Sequence, residues 1–276
     1  MAGAKKLEVI YYNGQPDGIR SVRRHLSTMT TYVIPRPLLS EAKAIKGIER
    51  PGIYFLINDN EENNIAKIYV GQTRNGVSRL DDHNQTKVFW NKAIMFLSDA
   101  KTFSLDIISG LEEYAIVKAY ESNRYSVENK VKPKYEIDEY DLPIIEEIYE
   151  EIQFIMATQG YKMNSSESEA NSNEILHTTR NGIQGLGVYE GDRFEVLKGS
   201  EIDLSRSVHI GRYNRMRKEL VEQGKILEIG GKYILQVTIE FKTPSGASDF
   251  VLGCSSNGWT EWKNVDGKTL DELYRK

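Results

Sequence analysis

The chain holds a single cysteine, Cys254, among 276 residues, which excludes an intrachain disulfide and a cysteine-based zinc centre. A reducing, cytoplasmic setting is the expectation that follows. Long apolar runs are missing as well. The opening MAGAKKLEVIYY lacks the apolar core of a signal peptide, and no later run reaches the length needed to cross a membrane. An excess of positive charge is also absent, since a formal net charge of −4 argues against a protein whose whole surface grips nucleic acid. The charge is nonetheless uneven. Arg206, Arg212, Arg215, Arg217 and Lys218 lie in a stretch without acidic residues, whereas 136–151 is strongly acidic. This basic cluster is a candidate nucleic-acid contact, with a solvated helix face as the plain alternative.

What is present centres on Pro51 to Asn91, PGIYFLINDNEENNIAKIYVGQTRNGVSRLDDHNQTKVFWN. Two strand-like runs, Gly52 to Ile57 and Lys67 to Gly71, flank a polar segment whose Asn, Asp and Glu content predicts a hairpin loop. Each run carries a tyrosine, Tyr54 and Tyr69. A turn-rich link from Gln72 to Gly76 then leads into a helical segment in which Arg79 and His83, four residues apart, share a face. Two phenols, a guanidinium and an imidazole gathered in this way suit a phosphodiester, which needs its charge neutralised and a proton removed. Farther on, Leu111 to Tyr120 has helical spacing, and Glu112 lies on a partly apolar face. A carboxylate there needs a partner, and a divalent cation is a good one. Each of these residues has a structural reading too: strand tyrosines usually pack, an Arg/His pair usually faces solvent, and a lone Glu is usually salt-bridged.

The pattern resembles the GIY-YIG nuclease family. The naming tripeptides stand here as Gly52-Ile53-Tyr54 and Tyr69-Val70-Gly71, with Val for Ile in the second. Arg79 and His83 match the family's helix positions, Glu112 its later glutamate, and Asn129 its final asparagine. Only the resemblance favours Glu112 over Glu113. It implies a divalent-metal-dependent endonuclease acting on DNA, with Glu112 holding Mg²⁺ or Mn²⁺, Arg79 stabilising the anionic transition state, and Asn129 tying the elements together. The water would be deprotonated by Tyr69 or Tyr54, with His83 as a competing base. Where many members carry Lys after the second tripeptide, this chain has Gln72, and Asp81 and Asp82 make the helix less basic than the family leads one to expect.

The remaining chain divides readily. Residues 1–50 are expected to form a β-rich extension that packs on the Tyr54 hairpin, with Arg20, Arg23 and Arg24 on a solvated face. Residues 51–160 form the nuclease-like domain, which ends in an amphipathic helix from Pro143 to Met156 with Ile144 among its buried residues and Asp141 as cap. A linker spans 161–184, built around the polar NSSESEANSN. Residues 185–276 form a second domain with strands around Val188 to Leu197 and Tyr233 to Phe241. It also holds a helix from Val208 to Gln223 stopped by Gly224, and another from Pro244 to Val251 opened by Ser245. Its ending, with Asn257-Gly258-Trp259, Trp262 and Gly267-Lys268-Thr269-Leu270, resembles the uncharacterised domain that often accompanies GIY-YIG domains. Trp259 and Trp262 read as core. The expected class is α+β: a small mixed sheet flanked by helices with an N-terminal hairpin extension, plus a second α+β domain that aids the choice of substrate or of a protein partner. The rival is a catalytically silent binding or assembly module on the same scaffold. Oligomeric state is open.

Overall fold

The protein is described by a computed structural model that covers residues 3–58, 65–99, 101–122, 124–130, 135–163, 175–190, 193–206 and 211–275, without the side chains of Asn181 and Arg212. The tip of the predicted hairpin loop, the NSSESEANSN segment and the start of the predicted 208–223 helix lie outside these residues. The chain forms two compact units, 1–163 and 164–276.

The first unit is built on seven strands: β1 (Leu7–Tyr11), β2 (Arg20–Arg24), β3 (Thr30–Pro35), β4 (Gly52–Asn58), β5 (Lys67–Thr73), β6 (Lys92–Leu97) and β7 (Ser126–Val127). Their order is β1-β2-β3-β6-β4-β5-β7, with only the β5–β7 pair parallel. The N-terminal strands therefore do not hydrogen-bond to the Tyr54 hairpin, but they share its cores, Tyr32 and Ile34 clustering with Tyr54 and Val22 and Val33 with Ile53 and Phe55. β6 lies between β3 and β4, pairing with both over its full length. A strand in that position is covered on both faces, which explains why Ala93 to Leu97 is continuously apolar and fully buried.

Helices cover the two faces. α1 (Leu39–Ala42) and α2 (Arg79–Thr86) pack on one, and α3 (Leu105–Glu121) and α4 (Leu142–Thr158) on the other. Because side chains alternate along a strand, Tyr54 and Leu56 join Leu80, Trp90 and Met95 on the α2 side, while Ile53, Phe55 and Val70 join Leu111, Ile116 and Ile152 on the α3 side. α3 begins where the Ser104 side chain accepts from the Ile107 amide at 3.3 Å. In α4 the buried stripe is Ile145, Tyr149, Ile152, Ile155 and Met156. Ile144 sits about 100° round the helix from Ile145 and is 48% exposed, contrary to the sequence expectation. Asp141 holds the cap position without a side-chain cap bond. Two of the three N-terminal arginines are docked rather than solvated, Arg20 donating to Gln159 and Arg24 pairing with Glu151 at 3.1 Å.

The second unit contains β8 (Leu176–Thr178), β9 (Gly185–Glu190), β10 (Arg193–Val196), β11 (Ile226–Ile229), β12 (Lys232–Leu235) and β13 (Ile239–Phe241). β13-β10-β9-β8 form an antiparallel sheet, and β11 with β12 forms a separate hairpin. Its helices are α5 (Gly211–Glu222), α6 (Pro244–Leu252), α7 (Gly258–Glu261) and α8 (Leu270–Tyr274). α6 is opened by Thr243, whose hydroxyl accepts from the Gly246 amide at 3.0 Å; Ser245 instead accepts from the Gly258 amide. Trp262 is core, stacked on Phe194, whereas Trp259 is only half-buried under the Arg275 guanidinium.

Candidate active site

The two tyrosines owe their meeting to strand register. Tyr54 on β4 lies opposite Gly71 on β5, so the phenol crosses the neighbouring strand where a side chain would otherwise stand. A Cβ at Gly71 would overlap the Tyr54 hydroxyl and ring, and one at Gly52 would strike the Phe96 carbonyl on β6. The glycines of both tripeptides are thus sites of close approach. Tyr69, two residues before Gly71 on the same strand, projects to the same face.

α2 supplies the basic groups from above that face. Arg79 and His83 stand one turn apart, and the rings of Tyr54, Tyr69 and His83 form a triangle with centroid separations of 6.4, 5.5 and 5.4 Å. The Tyr54 hydroxyl lies 2.6 Å from His83 Nε2. Burial holds the His83 imidazole down to about 4, helped by the charges of Arg79 and Lys87 and opposed by Asp82. Burial likewise pushes the Tyr54 phenol well above its ordinary value. The phenol therefore keeps its proton and donates it to Nε2 of a neutral imidazole, which places the ring proton on Nδ1. Nδ1 is buried with no hydrogen-bond partner among the described residues.

Exposure separates these groups. Tyr54 and His83 are 1% and 5% exposed. Tyr69 is half-buried, and the Arg79 side chain, 49% exposed, pairs with Asp82 at 2.9 Å. Asp81 pairs instead with Lys43 at 2.7 Å. The spacing of Arg79, His83 and Lys87 at successive fours hides a third basic residue that the sequence reading passed over: Lys87 Nζ lies 4.1 Å from the centre of the Tyr69 ring.

Glu112 reaches this group from the opposite helix layer. β7 pairs with β5 only at Lys67 and Ile68, so among the described residues no strand covers β5 beyond Val70, and there Glu112 of α3 meets Gln72. The carboxylate acts electrostatically on both Tyr54 and Tyr69 and feels the charge of Arg79. Burial raises it above the ordinary carboxylate range, against the pull of Gln72, which donates from Nε2 to Oε2 at 2.9 Å. Asn129 has a different task. Its side chain accepts from Val70 N–H at 3.0 Å and donates to Val70 C=O at 2.8 Å, continuing the β5–β7 pairing by side chain where the strand ends. It holds the strand, and its side chain bonds to none of the reactive groups among the described residues.

Residues 50–136 match the model of the GIY-YIG catalytic domain. The first unit carries a GIY-YIG domain, which belongs to a nuclease family. Residues 176–274 match a domain of unknown function (DUF4357). No curated protein and no solved structure matches the chain. The nuclease family generally uses divalent metals, and the donor chemistry of this GIY-YIG domain fits such an ion sparingly. Among the described residues no group of three or more metal-ligating side chains occurs. A single half-buried carboxylate held by a neutral amide matches an ion such as Mg²⁺, which keeps several waters and takes further oxygens from its substrate.

The basic cluster of the second unit is not one surface. Arg217 is 2% exposed and is spent on the backbone: it donates to the carbonyls of Asp203, Phe250 and Arg206 at 3.1–3.3 Å, and to the Asn214 side chain. It is no nucleic-acid contact, because a guanidinium buried to this degree, with four of its five N–H donors already taken, cannot reach a phosphate. Arg206 pairs with Asp203 at 3.5 Å, Arg215 and Lys218 are exposed, and the Arg212 side chain lies outside the described residues. No described helix is long and apolar enough to cross a membrane.

Proposed function

We propose that the protein is a divalent-metal-dependent endonuclease that hydrolyses DNA phosphodiester bonds at the Tyr69–Arg79–Glu112 edge of the sheet, in a reducing compartment. The observation that carries this reading is geometric: Tyr54, Tyr69 and His83 form one triangle beneath the helix of Arg79, and Glu112 meets the same strand three residues after Tyr69, at Gln72.

Glu112 would hold Mg²⁺ or Mn²⁺, which supplies Lewis acidity toward the scissile phosphate. Arg79 neutralises the phosphate oxygens as negative charge builds. Its resting partner, Asp82, is no obstacle, because an exposed pair of this kind is worth at most about 1 kcal/mol, with side chains 49% and 67% exposed. Tyr69 takes the proton of the attacking water. It is the phenol open to solvent, whereas Tyr54 and His83 are sealed against each other. Tyr69 is raised above its ordinary value by burial and then by the Glu112 charge, with Arg79 opposing. A cation on Glu112 would remove the second of those causes and bring the phenol back toward its ordinary value, with Arg79 pulling it lower. The Tyr54–His83 pair props the Tyr69 ring, and Asn129 fixes β5. The DUF4357 unit aids the grip on substrate through Arg215 and Lys218.

The test is nicking of supercoiled plasmid with Mg²⁺ or Mn²⁺ by the wild type, Arg79→Ala and Glu112→Ala. Each variant is expected to lose about a hundredfold or more in rate. Equal nicking by all three would mean a contaminating nuclease, and the reading would be abandoned.

A further inference from the structure

Glu112 must cross from the α3 layer to the β5 edge, and one residue of the neighbouring strand meets it there. Gln72 lies opposite Ile53 on β4 and so projects to the α3 side, away from the tyrosine face. Its amide spans one turn of the helix. Ser109 Oγ donates to Gln72 Oε1 at 3.3 Å, and Gln72 Nε2 donates to Glu112 Oε2 at 2.9 Å. Ser109 and Glu112 are three apart on α3 and share a face. The carboxylate, which can only accept, takes the NH₂ group, and the amide oxygen left over accepts from Ser109 Oγ, which steadies the amide.

The chemistry of that donor matters. A lysine after the second tripeptide would bring a full positive charge toward Glu112. Glutamine of similar length supplies the hydrogen bond and no charge. We propose that Gln72 is a positioning residue for Glu112: its amide, oriented by Ser109, fixes the carboxylate at the sheet edge with its negative charge uncancelled, so that the carboxylate can hold a divalent cation. The proposal rests on the reading of Glu112 as the cation-binding carboxylate.

The experiment uses the full chain and measures Mn²⁺ binding by electron paramagnetic resonance, alongside plasmid nicking and thermal unfolding. The proteins compared are wild type, Gln72→Leu, Gln72→Lys and Ser109→Ala. Loss of the group that orients a metal ligand typically lowers metal affinity by about 10- to 100-fold. Gln72→Leu is expected to weaken Mn²⁺ binding about tenfold, with kcat reduced and KM for DNA unchanged. Gln72→Lys is expected to weaken it further at an unchanged melting temperature, with nicking recovered as Mn²⁺ is raised. Ser109→Ala gives a smaller loss in the same direction. If Gln72→Leu does not fold, Gln72→Lys and Ser109→Ala decide alone. Wild type that binds Mn²⁺ with the folded variants indistinguishable from it overturns the proposal and leaves the nuclease reading standing. Wild type that binds no Mn²⁺ overturns both.

Discussion

Acidification should destabilise the first unit through His83. In the folded chain this imidazole is held at about 4 by burial and by the nearby charges of Arg79 and Lys87, whereas its ordinary value is 6.5. Above pH 6.5 it is neutral in both the folded and unfolded chain, so pH has no leverage through it. Between 6.5 and 4 the unfolded chain binds a proton that the folded chain refuses, and stability falls by about 1.4 kcal/mol per pH unit. Below about 4 both forms are protonated and the loss levels off at about 3 kcal/mol. The folded state resists because protonation would charge a ring that is 5% exposed and would break its acceptance from the Tyr54 hydroxyl. The assay is urea unfolding of wild type and His83→Gln from pH 7 to pH 4, with the difference between them isolating this side chain from the acid titration of carboxylates such as Glu8. The wild type should lose about 3 kcal/mol more than the variant over that range. Histidine carbon NMR supplies a second readout, with the substitution identifying the His83 signal among four imidazoles. A stability difference that stays constant with pH, or a His83 signal that titrates near 6.5 in the folded protein, would refute the reasoning.

Gly71→Ala forces a methyl into the Tyr54 hydroxyl. Overpacking of this kind costs about 1–3 kcal/mol, and displacement of the phenol should let the His83 signal titrate closer to its ordinary value; a variant as stable as wild type with the same His83 titration would contradict the close approach. Asn129→Ala leaves the Val70 N–H and C=O without their side-chain partners, and is expected to cost about 2–3 kcal/mol with faster hydrogen exchange at Val70. Protection at Val70 equal to wild type would remove Asn129 from its strand-holding role. Arg217→Leu strands three backbone carbonyls in the second unit and should lower its stability by about 3 kcal/mol or more, measured by thermal unfolding; a loss under about 1 kcal/mol would mean that those carbonyls find other donors.

How much of this was legible beforehand depends on the range of the interactions involved. Arg79 and His83 could be put on one face because a helix repeats every 3.6 residues, and that rule needs no distant partner. The two tripeptides could be read as adjoining strands because a polar segment joins them. KAIMFL is plainly apolar, yet nothing in it says that β6 would separate the N-terminal strands from the Tyr54 hairpin. The expected opener of α6 was Ser245, whereas the bond to the Gly246 amide is made by Thr243. Arg217 looked like its neighbours in sequence, but helix geometry turned it inward while Arg215 and Lys218 faced out.

The sequence by itself determined the local alphabet of this protein: which residues could be strand or helix, which tyrosines and bases were candidates, and that two units would follow one another. Tertiary structure alone decided which candidates meet. Strand register laid Tyr54 across Gly71, the short reach of β7 left an edge open for Glu112, and Gln72 was found holding that carboxylate. The physical reason is that periodicity is written in neighbouring residues, whereas pairing across a sheet and between layers is fixed by the packing of the whole unit, where groups far apart in the chain come within hydrogen-bonding distance.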